Sequence, residues 1–111
     1  MSKVFITHEQ NRFDYSPAEC FGQLVAVSER VYSFTPGNTV NPAIHKSIVD
    51  CSNAFDPGVD YVLPSGSAIM TSMFMVRLAA IGIRTVRILT WNNNDGAYNI
   101  GTLDLSPLIG N

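Results

Sequence analysis

Two histidines, two cysteines and one Ser-Gly-Ser turn are the residues of this 111-residue chain whose types could carry chemistry. The turn, Pro64-Ser65-Gly66-Ser67, follows a short apolar run and precedes a long one. Backbone N–H groups of residues 66–69 at such a helix start would face an anion. The hydroxyls of Ser65 and Ser67 would help, and Arg84 or Arg87 would supply charge. The turn has neither the GK[ST] of a phosphate-binding loop nor the GxGxxG spacing, and Ser65 lacks the flanking glycines of a hydrolase elbow. An ordinary N-cap accounts for the same residues. A nucleophilic set can be drawn from His8, Cys20 and Asp14, but no spacing requires it, and His45 stands alone. Cys20 and Cys51 form no CxxC and no metal spacing, so the expectation is no metal, no cofactor and two reduced, partly buried thiols. Asp56 and Asp60 flank Pro57-Gly58, as turn chemistry alone predicts. Trp91 and Tyr98 face each other across an Asn-rich hairpin tip, as a stacking surface or as a pair that stabilises the hairpin. No catalytic constellation emerges, and the chain reads as non-catalytic.

The elements that must position these groups follow from periodicity. Asp60 to Ile88 reads as strand, tight turn, helix, glycine stop and strand, a nearly complete βαβ crossover. Lys3–His8 is a first strand. Ser16-Pro17-Ala18-Glu19 starts a helix of about one turn with a capping box, stopped at Gly22. Gln23–Ser28 is a second strand, apolar enough for burial on both faces. After a loop over 29–40, Asn41-Pro42 caps an amphipathic helix that runs to about Ala54. Tyr61–Leu63 is the third strand, and a helix from Ser67 ends at Gly82. Arg84–Trp91 and Ala97–Leu103 form a hairpin about Asp95-Gly96. The tail, residues 104–111, has no regular pattern; it is loose or docks through Leu108 and Ile109. The prediction is a single α/β domain over residues 1–111: a small, mainly parallel sheet in the order β-β-α-β-α-β-β, two main helices and a C-terminal antiparallel hairpin.

Composition bounds the partners. Charged residues are 14% of the chain, well below the roughly 25% of an average soluble domain. A surface so poor in charge points to self-association or a covered face. The helix over 67–82 is apolar nearly all round, and Met70, Met73, Phe74 and Arg77 are the candidate seam. Burial of the same helix as core is the competing account. A net charge of −2 argues against a nucleic-acid footprint. No apolar run reaches the ~20 residues of a membrane span, and the N-terminus lacks the apolar stretch of a secretion signal, so a cytoplasmic location is expected.

Four segments carry a resemblance. They are Ile6-Thr7-His8; Ser16-Pro17-Ala18-Glu19-x-Phe21-Gly22-x-Leu24-Val25; Phe55-x-Pro57-x-x-Asp60-Tyr61-x-Leu63 with Gly66 after it; and Ile88-Leu89-x-Trp91 with Tyr98 and Leu103-Asp104-Leu105. In this order they resemble a family of small proteins of tailed bacteriophages that carries no assigned activity. The chain departs from that pattern in having Gly66-Ser67-Ala68 in place of Gly-Asp-Pro, and Trp91-Asn92-Asn93 in place of Trp-Asp-Arg. The resemblance implies a phage origin and action inside an infected bacterium. The functional expectation is a non-catalytic interaction protein, homo-oligomeric, that serves host takeover or regulation by binding a host or phage protein. The alternatives are a module that holds a nucleotide or other small anion at the Gly66 turn, and a virion structural protein.

Overall fold

The computed structural model of the chain describes residues 1–110. Five strands form one sheet: β1 (Lys3–Ile6), β2 (Gln23–Ala26), β3 (Tyr61–Leu63), β4 (Thr85–Asn92) and β5 (Ala97–Asp104). Their order is β2-β1-β3-β4-β5. All neighbours are parallel except β4 and β5, which pair antiparallel from Thr85 opposite Asp104 to Asn92 opposite Ala97. Two long helices, α1 (Val40–Ala54) and α2 (Ala68–Ala80), and a final turn of helix, α3 (Ser106–Ile109), complete the chain. The fold is thus α/β, mostly parallel, with the antiparallel pair at its C-terminal edge.

Side chains that alternate along the strands divide the core in two. Phe5, Val62, Val86 and Ile88 face α1 and α2. Ile44, Ile48 and Ser52 on α1, and Met70, Phe74 and Leu78 on α2, are the buried stripes at four-residue spacing that meet them. Phe74 is completely buried, with its ring centroid 6.0 Å from Phe5 and 6.5 Å from Phe55. Met70 is equally buried. Neither can serve the seam expected from the sequence, because the inward face of α2 is core. Only the outer face, where Val76 is 67% exposed, reaches solvent.

Val4, Ile6, Leu63 and Leu89 point to the opposite face. There they meet Ala18 from a 3-10 turn, Ser16–Phe21, and Tyr15 just before it. The capping box expected at Ser16 does not form, since the Asp14 carboxylate instead accepts the Ser16 N–H at 2.9 Å. This turn is all that spans β1 and β2, so one sheet face lies under two helices and the other under a few residues.

Other local expectations shift for identifiable reasons. β2 is an edge strand, with Gln23 exposed and Leu24–Ala26 half-buried, so its apolar run is covered less than a central position would require. Helix α1 starts at Val40, because Asn38 Oδ1 accepts the N–H groups of Val40 and Asn41. Asn41 then binds Ser33 and pins the preceding loop. Cys20 is exposed and Cys51 half-buried, both as free thiols. The tail is helical over Ser106–Ile109, and its Leu105 N–H donates to the Arg84 carbonyl at 2.7 Å.

Glycine 82 ends α2 as expected. It has φ +97°, and the N–H groups of Gly82 and Ile83 return to the carbonyls of Ala79 and Leu78, the Schellman pattern. Asp60, 3% exposed, accepts the N–H groups of Lys3 and Asp56, each at 2.8 Å, and so fastens the entry of β3 to β1. Phe74→Ala should cost about 3–5 kcal/mol of stability, read by denaturant unfolding. A loss below about 1 kcal/mol would contradict its place between Phe5 and Phe55.

Candidate functional site

The chain leaves β1 towards β2 on one side and leaves β3 towards α2 on the other. The carboxyl ends of β1 and β3 are therefore the point where sheet order reverses, the usual crevice for ligands in open α/β sheets. Polar side chains crowd there. Thr7, fully buried, accepts the Ser65 N–H at 3.0 Å and lies 2.8 Å from the Thr71 hydroxyl on α2. His8, also buried, accepts the Ser67 N–H on Nδ1 at 2.9 Å, which leaves the proton of a neutral ring on Nε2. Gly66 between them has φ +69°, and a Cβ built there would stand 2.1 Å from His8 Nδ1.

Beyond this turn, on the thinly covered face, lies a cleft of about 610 Å³. Leu63, Pro64, Ser65 and Leu89 form its floor, and Phe13, Tyr15, Trp91 and Tyr98 its walls. The Tyr15 hydroxyl accepts the Gln10 N–H at 3.0 Å and lies 2.6 Å from Ser65 Oγ, which fixes one wall to the β3 turn. Trp91 and Tyr98, opposite each other on β4 and β5, meet edge to face at 5.0 Å. Trp91 Nε1 donates to Asn93 Oδ1 at 2.7 Å. Phe13 and Trp91 stay about half exposed at the mouth, 50% and 47%.

Among the lining residues only Asp14 carries a formal charge. The hydrogen bond from the Ser16 N–H holds its carboxyl below the usual range. Burial pushes the Tyr98 phenol up, and the neighbouring Tyr15 and Asp14 push it further. The cleft therefore offers aromatic faces, hydroxyl and amide groups and one carboxylate.

Ser65 and Gly66 line this cleft, whereas Ser67 and the two arginines do not. Arg84 lies beyond the opposite, amino end of β4 and donates to the Ala79 carbonyl at the end of α2, 3.0 Å away. Arg87 lies level with Tyr61, its guanidinium 4.6 Å from that ring, with Nε and Nη2 buried and unpartnered among the described residues. The N–H groups of Ser65, Ser67 and Ile69 are already used, by Thr7, His8 and the Ser67 hydroxyl. Of the seam residues, Met73 is half-buried beside an apolar groove with Ile48, Val49 and Val76. Arg77 binds Ser52 and Asn53 and so ties α2 to α1.

His8, Cys20 and Asp14 do not assemble, each being held by a different partner. No group of three His, Cys, Asp or Glu side chains among the described residues could hold a metal ion. No helix of the described residues is long and apolar enough to cross a membrane. Sequence reasoning missed Thr7, Phe13 and Tyr15 as site residues, and weighed His8 only as part of a nucleophilic set. Their one signal was position, just after the first apolar strand.

Residues 2–105 match the family model of the Phage Pam3 gp32-like protein. The chain belongs to this phage family. Its matched region runs from before β1 to just past β5, so every residue of the gp32-like cleft lies inside it. No curated protein and no solved structure matches the chain.

Two measurements check this geometry. Gly66→Ala forces a Cβ onto His8 and a left-handed alanine, so it should cost well over about 1 kcal/mol. An unchanged unfolding midpoint would mean that the turn is not closed against His8. Tyr98 has a folded pKa above its unfolded one, so it binds its proton longer when folded. Its contribution is full below about pH 10 and is lost as pH rises through the folded value. Tyr98→Phe should flatten the alkaline fall of stability, and an identical slope would place its phenol in open water.

Proposed function

We propose that this phage protein is a non-catalytic binding module that takes a ring-bearing ligand without negative charge in its aromatic cleft. The observation that carries this reading is the lining itself: four aromatic side chains around a cleft of about 610 Å³, with Asp14 as its one formal charge. Flat rings stack on such walls whatever their polar substituents, at about 1–3 kcal/mol per stacked ring. Ser65, Asn93 and Asp14 would then orient hydroxyl or amino groups. A nucleoside or a neutral sugar fits this description. The nucleotide or anion reading at the Gly66 turn is less favoured, because the amides of Ser67 and Ile69 are already used and no arginine reaches it.

A second reading keeps the protein as an interaction partner, of itself or of a host or phage protein, in the cytoplasm of an infected bacterium during takeover. Its support is the low charge and the apolar groove between α1 and α2, where Val49 and Val76 are exposed. Service as a virion component would be read by finding the chain in purified particles.

The chain has a single tryptophan, and it lines the cleft, so its emission reports occupancy directly. Titration with adenosine and with neutral saccharides should shift Trp91 emission for at least one class. Phe13→Ala should weaken that binding by roughly tenfold, the cost of one lost stacking face, without altering the fold. Silence to both classes at millimolar concentration would sink the cleft reading. Binding of ATP but not adenosine would restore the anion reading.

A further inference from the structure

We propose that two copies of this chain pair edge to edge through β5, antiparallel, about a twofold axis at Ile100. β5 is the outermost strand at one edge of the sheet and is 8 residues long, against 4 for β2 at the other edge. Its outward backbone groups can be assigned. The Leu105 N–H donates to the Arg84 carbonyl, and Thr85–Asn92 registers without a break against Asp104–Ala97. Hydrogen-bonded and non-hydrogen-bonded pairs alternate along an antiparallel ladder. Counting back from Leu105 therefore directs the amides of Ala97, Asn99, Gly101 and Leu103 to β4. Those of Tyr98, Ile100, Thr102 and Asp104 point away from the sheet.

Soluble proteins blunt such an edge with lysine, proline, a bulge or a covering element. The strand Ala97–Asp104 has no lysine, arginine or proline, and its register with β4 contains no bulge. The 3-10 turn Ser16–Phe21 approaches this strand, but among the described residues no backbone hydrogen bond joins the two. Ile100 and Leu103 on it are 51% and 46% exposed.

The occupant this edge fits is its own copy. A twofold axis perpendicular to the sheet keeps each face on its own side, so even-numbered residues meet even-numbered ones. Centred on Ile100, that symmetry lets Ile100 exchange hydrogen bonds with the partner's Ile100, and Tyr98 with the partner's Thr102. On the other face Leu103 meets the partner's Ala97. Asp104, the single charge of β5, lies at the far end from the partner's Asp104, so no like charges oppose each other.

Sedimentation equilibrium of the full chain over a range of concentrations should give twice the 12.1 kDa of the monomer. In the same sample, hydrogen exchange should find the amides of Ile100 and Thr102 protected. Ile100→Lys sets two lysines opposite each other and should weaken the dimer by up to about fivefold. Should that variant fail to fold, Thr102→Pro removes an outward donor while sparing the ladder to β4. A monomer at every concentration, or any assembly in which the Ile100 and Thr102 amides exchange freely, overturns the proposal.

Discussion

The hydroxyl of Thr7 is the constraint on which the rest of the site depends. The chain must leave β3 and begin α2 within a few residues, over the carboxyl end of β1, where buried backbone groups need partners. Thr7 supplies them. Its oxygen takes the Ser65 N–H, lies 3.2 Å from the Ser65 carbonyl, and reaches the Thr71 hydroxyl one turn into α2. With that anchor set, Gly66 takes a left-handed conformation close against the His8 ring, and Ser67 donates to His8. The Ser65 side chain is left directed at Tyr15. A buried threonine just after one strand thereby ties the end of β3 to the first turn of α2, beside the cleft.

The cleft itself follows from uneven coverage of the sheet. The two helices fill one face, whereas the passage from β1 to β2 has only a 3-10 turn with which to cover the other. Large aromatic side chains are the economical way to close such a gap, because each covers much area with few rotatable bonds. Phe21 lies edge to face on Tyr61, and the Arg87 guanidinium lies over the same Tyr61 ring. Where the turn ends, Phe13, Tyr15, Trp91 and Tyr98 remain around a space that the chain does not fill.

Much of the fold was legible in the sequence because its signals are local. The run from Asp60 to Ile88 carries its own strand, cap, apolar helix and glycine stop, and the structure reproduces each. Asp95-Gly96 marked the hairpin for the same reason. What failed was decided at long range or between competing local partners. Nothing near Gln23 says that β2 lies outside β1. Ser16 lost its capping role to Asp14, two residues away. Met70 and Phe74 were apolar on a helix apolar all round, and only the positions of Phe5 and Phe55 decide which side is inside. The site was the least legible part. His8 and Ser67 are 59 residues apart, and two short polar loops give no sign that they touch. Trp91 and Tyr98 were visible as a pair, but Phe13 and Tyr15, which make that pair one wall of a cleft, were not.

The β4–β5 hairpin joins the two features that point outward. The ring of Tyr98 closes the cleft, while by the alternation of the ladder its backbone faces the open edge of the sheet. A strand paired on both sides frays less than one paired on a single side. Pairing at the edge would therefore hold Tyr98, and Trp91 across from it, in the position that a ring-bearing ligand meets. The linkage is reciprocal: whatever free energy the edge contributes to ordering that wall, a ligand stacked on the wall returns to the edge. The two readings are thus physically coupled through one residue, although each rests on its own observations.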